Sequence, residues 1–243
     1  MRLSVQLYTL RDPLAQDLAG TLKQVREIGL EYVELAGLNG KSAQEYKALL
    51  DDLGLKVSGA HIGVGDLTNN FEGTIADAKV LGIPTVIIPW MGAEEGANGW
   101  DKVGQALQPI GEKVKAEGLK FAYHNHAHEF EGGGLDALYA ATDPSVVQAE
   151  LDLAWVHIGG QDPAAYVRKY AGRIPAVHLK DYDPAQTPQW RPAGTGILDF
   201  DAILAACRET NIEFGVIELD QSPADPIDAV RESFEFFKSK GLN

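Results

Sequence analysis

Strand-like and helix-like segments alternate eight times along this chain, and this alternation restricts the fold more than any other feature. Each strand-like segment is a short apolar run, and the segment after it has the spacing of an amphipathic helix. Strands separated by helices pair in parallel, because a crossover returns the chain to the same edge. Eight such units within 243 residues predict an α/β protein with a (β/α)8 TIM barrel that forms a single domain over residues 1–243. The predicted strands are 3–8, 32–35, 55–61, 84–89, 119–124, 146–152, 174–179 and 214–219.

Capping residues and glycines set the expected helix boundaries. Ser42 and Glu45 form a capping-box pattern, and Gly54 marks the end of that helix. Asp162 followed by Pro163 predicts the start of another helix between the sixth and seventh strands. Residues 182–198 are expected to form a long loop. The other predicted helices are 21–28, 74–81, 101–116, 135–141, 199–207 and 226–240.

A doubly wound open sheet is the main alternative, because alternation alone does not show whether the sheet closes. A dinucleotide-binding sheet would carry GxGxxG after its first strand, and this chain lacks that motif there. Gly194-Thr195-Gly196 lies late in a loop, so it supports a dinucleotide site only weakly.

The charge of the chain argues against two classes of partner. The formal net charge is -14, from 35 acidic and 21 basic residues, which disfavours nucleic acid and anionic membranes as partners. No apolar run is long enough for a membrane span or a signal sequence, so we expect a cytoplasmic protein. Cys207 lies on the apolar face of a predicted helix, where a buried inert thiol is expected.

Polar side chains stand at the carboxyl ends of the predicted strands, the end where TIM barrels carry their active sites. Strands five to eight each bring His, Asp or Glu to this position, which favours a functional site over isolated core residues. The polar and aromatic residues expected at this face are Gln6, Tyr8, Glu34, His61, Trp90, His124, Asn125, His126, Glu150, Asp152, His178, Lys180, Glu218 and Asp220.

Imidazoles and carboxylates without a thiolate suit a divalent metal of intermediate hardness. Mn²⁺ is the first choice, and Co²⁺, Zn²⁺ and Mg²⁺ are alternatives. The candidate ligands are His124, Asp152, His178 and Glu218. Glu150 points the same way as Asp152 but lies one layer deeper. It is a fourth ligand, a partner that orients a histidine, or a catalytic carboxylate with a raised pKa.

The chain contains the blocks YHNHAHEF (123–130), AELDLAW (149–155), RIPAVHLKDYD (173–183) and IELD (217–220). These blocks resemble the xylose isomerase-like TIM barrel family of sugar phosphate isomerases and epimerases, whose relatives include inosose dehydratases. The resemblance covers essentially the whole chain, and it implies that Asp152, His178 and Glu218 match three of the family's four metal ligands. The family usually has Glu at the fourth position, whereas this chain has His124.

The resemblance implies an isomerase or epimerase that removes the proton next to the carbonyl of a small keto-sugar through a metal-bound enediolate. The catalytic candidates are Glu218, His124 and Glu150. A lyase or dehydratase acting on an inosose or keto-glycoside is the first alternative, because His124 replaces one carboxylate of a symmetric pair. A non-catalytic carbohydrate-binding barrel is the second. The family's DNA-repair nuclease branch is disfavoured by six histidines and the acidic charge.

The expected partner is a small carbohydrate, and the sequence is also compatible with a homo-oligomer. The substrate-binding candidates are His61, His126, Lys180 and Trp155. Trp155 stands where epimerases of the family commonly have a substrate-contacting histidine. Lys180 holds a substrate oxygen or pairs with Asp181 or Glu218. Each of the three tryptophans Trp90, Trp155 and Trp190 either stacks on a sugar ring or packs in the core. Residues 190–196 form a candidate lid over the site. No role is assigned to His157.

Overall fold

Eight parallel strands close into a barrel in a computed structural model that describes residues 1–222 and 224–243, without the side chains of residues 93 and 94. The closed barrel confirms the predicted fold and excludes the open doubly wound sheet. The barrel strands are β1 (Arg2–Gln6), β2 (Tyr32–Ala36), β3 (Lys56–His61), β4 (Thr85–Ile88), β5 (Lys120–His124), β6 (Val147–Asp152) and β7 (Ala176–Leu179). After an outer ribbon of two short antiparallel strands, β8 (Asp181–Tyr182) and β9 (Trp190–Arg191), the last barrel strand is β10 (Phe214–Ile217). The order around the barrel is β1, β10, β7, β6, β5, β4, β3 and β2.

Helices fill the connections between the strands. The long predicted helices are present, and most ends lie within one to three residues of the expected ones. Residues 182–198 differ from the expected loop, because they contain the β8–β9 ribbon. The helices are α1 (Arg11–Gln16), α2 (Leu18–Ile28), α3 (Ala43–Leu53), α4 (Val64–Asn69), α5 (Phe71–Leu81), α6 (Ala93–Gly96), α7 (Trp100–Ala116), α8 (Gly134–Ala140), α9 (Leu153–Ile158), α10 (Pro163–Lys169), α11 (Phe200–Glu209) and α12 (Pro226–Ser239), with 3-10 turns at Leu7–Leu10 and His128–Gly133.

The first strand ends two residues earlier than predicted. The side chain of Gln6 accepts a hydrogen bond from the backbone N–H of Tyr8 at 3.0 Å, which starts the 3-10 turn. Tyr8 therefore leaves the sheet, and 47% of its surface is exposed. The predicted capping box is confirmed, since Ser42 and Glu45 exchange both hydrogen bonds at the start of α3.

Strand register brings the polar strand ends together at one end of the barrel. His124 on β5 pairs with Glu150 on β6, and Asp152 on β6 pairs with His178 on β7. On the other side, Val216 of β10 pairs with His178. This register places Glu150 one layer deeper than Asp152, as the two-residue spacing predicted.

Apolar side chains from the helices and strands form the core around this polar centre. Cys207 on α11 belongs to that core and is 1% exposed, which agrees with the expected buried thiol. Among the described residues, every helix is too short or too polar to cross a membrane.

Candidate metal centre at the carboxyl end of the barrel

Four buried side chains converge where β5, β6, β7 and β10 end. They are His124, Asp152, His178 and Glu218. Each offers one donor atom, and the four atoms lie within 4.8 Å of one another. His178 Nδ1 is 2.7 Å from Glu218 Oε2, and His124 Nε2 is 3.9 Å from Asp152 Oδ2. The four residues proposed as ligands thus lie together as two imidazole nitrogens and two carboxylate oxygens. We call them the outer set.

The local structure fixes Asp152 for this role. Its Oδ1 caps α9 by accepting a hydrogen bond from the backbone N–H of Trp155 at 2.9 Å. The side chain of Asn125 holds the backbone of Asp152, accepting from its N–H at 3.2 Å. Its Oδ2 lies 2.9 Å from Nζ of Lys180 and 3.9 Å from Nε2 of His124. A buried carboxylate oxygen that faces an imidazole nitrogen in this way can serve as a ligand of a divalent cation.

Glu150 lies beneath the outer set and contacts three imidazoles through one oxygen. Its Oε2 is 2.9 Å from His61 Nε2, 3.1 Å from His124 Nδ1 and 3.2 Å from His178 Nε2. These nitrogens of His124 and His178 are the ones that face away from the outer set. A carboxylate in this position orients a ligating histidine and fixes its tautomer. Of the roles left open for Glu150, this geometry supports the orienting partner.

Glu34 and Glu150 are both fully buried, but their pKa values shift in opposite directions. Burial and the neighbouring Glu150 raise the pKa of Glu34 to about 7. Burial also acts against ionisation of Glu150, but His178, His124 and His61 outweigh it and lower its pKa well below the usual range. The raised pKa considered for Glu150 is therefore not found, because three imidazoles surround it, and its catalytic role stays a prediction.

The two histidines of the outer set differ in charge. Burial and the adjacent His178 lower the pKa of His124 to about 4, so His124 is neutral near pH 7. Burial opposes protonation of His178 too, but Glu150, Glu218 and Glu34 raise its pKa well above the usual value.

Lys180 is an internal cation beside the outer set. Its Nζ lies 2.8 Å from Glu218 Oε2 and 2.9 Å from oxygens of both Asp152 and Asp220. Burial alone would lower the pKa of Lys180, but these carboxylates raise it well above the usual value. The expected pairing with Glu218 is confirmed. Pairing with Asp181 is wrong, because the Asp181 carboxylate accepts hydrogen bonds from backbone N–H groups of the following loop.

Aromatic rings form one wall of the site. His126 packs between Trp90, at 4.6 Å, and Trp155, at 5.5 Å between ring centroids. Trp155 in turn packs on Trp190 at 4.9 Å. Trp190 is buried, which agrees with the expectation that it packs in the core. Trp90 is 52% exposed at the mouth of the barrel. His126 Nδ1 and Trp155 Nε1 are buried and lack a hydrogen-bond partner among the described residues, so both can contact a bound polar molecule.

Glu34 and Asp220 were expected at this face but received no role. Gln6 donates to Glu34 Oε1 at 2.8 Å, and the same oxygen lies 2.7 Å from His178 Nε2. Burial raises the pKa of Asp220 to about 6. The two-residue spacing between Glu218 and Asp220 was the sequence signal that places both side chains on the same face of the last barrel strand and its continuation. His157 lies outside the cluster, with Nδ1 2.7 Å from the Tyr182 hydroxyl.

Comparisons with known proteins agree with this architecture. Residues 22–240 match the family model described as xylose isomerase-like TIM barrel. A solved sugar phosphate isomerase/epimerase from Parabacteroides distasonis superimposes with a TM-score of 0.83 at 25% identity, covering 98% of this chain and 97% of that one.

The similar curated proteins include inosose dehydratases from several bacteria. An inosose dehydratase from Clostridium botulinum is 26% identical in an alignment of 166 positions that covers 58% of this chain and 54% of that protein. An inosose dehydratase from Clostridium perfringens is 23% identical in an alignment of 221 positions that covers 82% of this chain and 70% of that protein. The chain thus spans about half the length of the first of these relatives.

Proposed function

The chain belongs to the xylose isomerase-like TIM barrel family, and we propose that it is a divalent-metal-dependent enzyme that removes the proton next to the carbonyl of a small keto-sugar. The observation that carries this proposal is the outer set, four buried donor atoms within 4.8 Å of one another at the carboxyl end of the barrel. TIM barrels carry their chemistry at that end. The names of the relatives, an isomerase/epimerase and inosose dehydratases, support a carbohydrate substrate.

His124, Asp152, His178 and Glu218 would hold the cation. When bound, the cation polarises the substrate carbonyl and makes the neighbouring C–H more acidic. Mn²⁺ is the proposed ion, because a set of two nitrogens and two oxygens suits a metal of intermediate hardness. Glu150 orients His124 and His178 from below, so that their other nitrogens face the outer set.

Glu218 is the proposed base. Burial raises the cost of ionising it, but Lys180 and His178 lower its pKa well below the usual range, so it is a carboxylate near pH 7. His124 is the second candidate, because it is neutral and retains a lone pair. Glu150 is proposed as a positioning residue, since it is fully buried and held by three imidazoles.

The substrate is proposed to lie against the aromatic wall. Trp90 offers an exposed ring for stacking on the apolar face of a sugar. His126 and Trp155 offer the unpartnered nitrogens for hydroxyl groups. Lys180 offers a positive charge for an oxygen that gains electron density, and His61, with 11% of its side chain exposed, lies at the edge of the site.

Dehydration is the second candidate reaction, and the position of Asp220 favours it. Loss of a β-hydroxyl needs a group that can donate a proton to the leaving oxygen. Asp220 has a pKa of about 6 and lies beside Lys180, so a fraction of it holds a proton near neutral pH. The inosose dehydratase relatives support the same reaction.

Metal content tests the site first. The purified protein is expected to bind about one equivalent of Mn²⁺, and Asp152→Asn, His178→Gln and Glu218→Gln are each expected to abolish binding. Asp201→Asn, which removes a surface carboxylate paired with Lys240, is the matched control and should bind normally. Failure of the parent to bind any divalent ion after loading would refute the metal-dependent function.

Solvent deuterium then separates the reactions. Incubation with an inosose or a panel of keto-sugars in D₂O should incorporate deuterium next to the carbonyl if the proton is returned, or yield a dehydrated product if water is lost. Tight sugar binding with neither outcome would instead support the non-catalytic carbohydrate-binding alternative.

A further inference from the structure

A second group of metal-capable donors lies directly beneath the outer set. It consists of His61 Nε2, His124 Nδ1, His178 Nε2 and Glu150 Oε2, which we call the inner set. We propose that the inner set is a separate zinc position, deeper in the barrel, that competes with the outer set for the same two histidines. This inference goes beyond the proposed function, because it does not depend on any catalytic activity.

The three distances from Glu150 Oε2 to the imidazole nitrogens are close to the ligand separations of a tetrahedral zinc site. Zinc binds nitrogen and oxygen at about 2.0–2.1 Å, so two ligands of a tetrahedron are separated by about 3.3 Å. Glu150 Oε2 lies 2.9, 3.1 and 3.2 Å from the nitrogens of His61, His124 and His178. Small outward shifts of these side chains would open the centre of the group to an ion.

Two buried carboxylates supply the charge that such an ion needs. Glu34 and Glu150 are both 0% exposed, and each has one oxygen without a hydrogen-bond partner among the residues that the structure describes. Glu34 Oε1 also lies 2.7 Å from His178 Nε2 and 3.3 Å from His61 Nε2, so it is available as a further ligand. A divalent cation at this position would pair with these buried carboxylates, and a buried ion is stable only with such close partners.

The inner and outer sets differ in the donor atoms that they offer. The inner set has three imidazole nitrogens and one carboxylate oxygen, whereas the outer set has two of each. Imidazole favours zinc, and carboxylate favours manganese and magnesium. The donor atoms therefore favour zinc more strongly at the inner set than at the outer set.

Occupancy of the two positions is mutually exclusive. A neutral imidazole has one unprotonated nitrogen to donate. His124 and His178 present opposite nitrogens to the two sets, so a ring that binds an ion through one nitrogen keeps its proton on the other. Zinc in the inner set thus withdraws both histidines from the outer set.

His61 and Glu218 allow the two positions to be tested separately, because each belongs to one set only. Metal-free protein would be titrated with zinc against a chromophoric chelator, and with Mn²⁺ by electron paramagnetic resonance. His61→Asn is expected to weaken zinc binding at least tenfold while Mn²⁺ binding stays within threefold. Glu218→Gln is expected to do the reverse, abolishing Mn²⁺ binding while zinc affinity stays within threefold.

X-ray absorption at the zinc edge supplies a structural readout. Three imidazole ligands are expected in the parent and in Glu218→Gln, and two or fewer in His61→Asn. His157→Asn is the matched control, because His157 belongs to neither set and bonds to Tyr182. Retained Mn²⁺ binding by His61→Asn also shows that this variant is folded.

Three results would overturn the inner zinc position. They are a zinc affinity unchanged by His61→Asn, zinc binding abolished by Glu218→Gln, and a parent that binds Mn²⁺ but no zinc. None of these three results contradicts the proposed Mn²⁺-dependent function. A parent protein that does not bind Mn²⁺ would refute that function, and the zinc titration would still test the inner set.

Discussion

Nζ of Lys180 lies 2.8 Å from Oε2 of Glu218, the same oxygen that lies 2.7 Å from Nδ1 of His178. The ammonium group of Lys180 therefore contacts the same Glu218 oxygen that is proposed to bind the metal ion. Three carboxylates surround the Lys180 ammonium, those of Glu218, Asp152 and Asp220. Their three negative charges equal the charge of one divalent ion plus one ammonium, so Lys180 reduces the charge available to the metal.

Lys180→Met should raise the affinity of the outer set for Mn²⁺ about tenfold, because a positive charge next to the ion opposes its binding even at a high effective dielectric constant. The same change should lower the unfolding free energy of the metal-free protein by about 3–5 kcal/mol, since buried carboxylates lose their partner. Thermal unfolding with and without Mn²⁺ measures both effects. Lys169→Met, which removes a surface ion pair with Asp136, should change neither by much.

Glu150→Gln should weaken Mn²⁺ binding about 10- to 100-fold, although Glu150 is outside the outer set. The substitution removes the negative charge that orients His124 and His178, and loss of such a partner typically costs this much metal affinity. Isothermal titration of the parent and the variant provides the comparison. An unchanged affinity would show that the two histidines keep their orientation without the carboxylate. Glu209→Gln, at a surface pair with Arg168, serves as the control.

The polar face of the barrel was predictable because parallel strands present their carboxyl ends at one edge. His124, Asp152 and His178 follow from strand identification alone, since each lies at or near the end of a strand. Register then brings Asp152 opposite His178. Predicting the position of these residues required only the order of the strands and their direction.

Contacts across the barrel were not predictable, because they depend on closure. Glu34 and His178 are 144 residues apart, and their 2.7 Å contact exists because β2 and β7 face each other across the barrel interior. Lys180 likewise contacts Asp220, 40 residues away, through side-chain conformations that the pattern of residues does not specify. The sequence left three roles open for Glu150 for this reason, since His61 and His178 contact it from other strands.

Short helices also escaped prediction. Helices α1, α4 and α9 have six residues each, which is too few for helical periodicity to be distinguished from chance. The beginning of α9 depends on Asp152, whose side chain caps it. A residue first identified by its metal-binding chemistry is thus also the start signal of a helix.

Cys207 should resist thiol reagents in the folded protein. Burial raises the pKa of its thiol to about 12, so the reactive thiolate is rare at pH 8. Less than a tenth of the thiol should react with Ellman's reagent in minutes, and all of it after unfolding in guanidinium. The unfolded thiol ionises near pH 8.5, so its contribution to the unfolding free energy should be lost as pH rises from about 8.5 towards 12. Cys207→Ala should remove that part of the pH dependence.

Asp181 should control the order of the candidate lid. Its buried carboxylate accepts hydrogen bonds from the backbone N–H groups of Tyr182, Gly194, Gly196 and Leu198, at 2.9–3.2 Å. These bonds tie both ends of the β8–β9 ribbon to one side chain, so the loop is anchored at its base and any lid movement is limited to its tip.

Asp181→Asn replaces one accepting oxygen with an amide that donates. Each oxygen accepts from two backbone N–H groups, so two of the four groups lose their partner. The unfolding free energy should fall by about 2–3 kcal/mol, the cost of leaving a buried donor unpaired and weakening the charged bonds that remain. Amide hydrogen exchange should accelerate at residues 194–198 and leave the barrel strands unchanged. Asp183→Asn is the matched control, because among the described residues the Asp183 carboxylate accepts a hydrogen bond only from the nearby Ala185 N–H. Equal exchange in both variants would mean that packing of Trp190 against Trp155, and not the carboxylate, holds the ribbon in place.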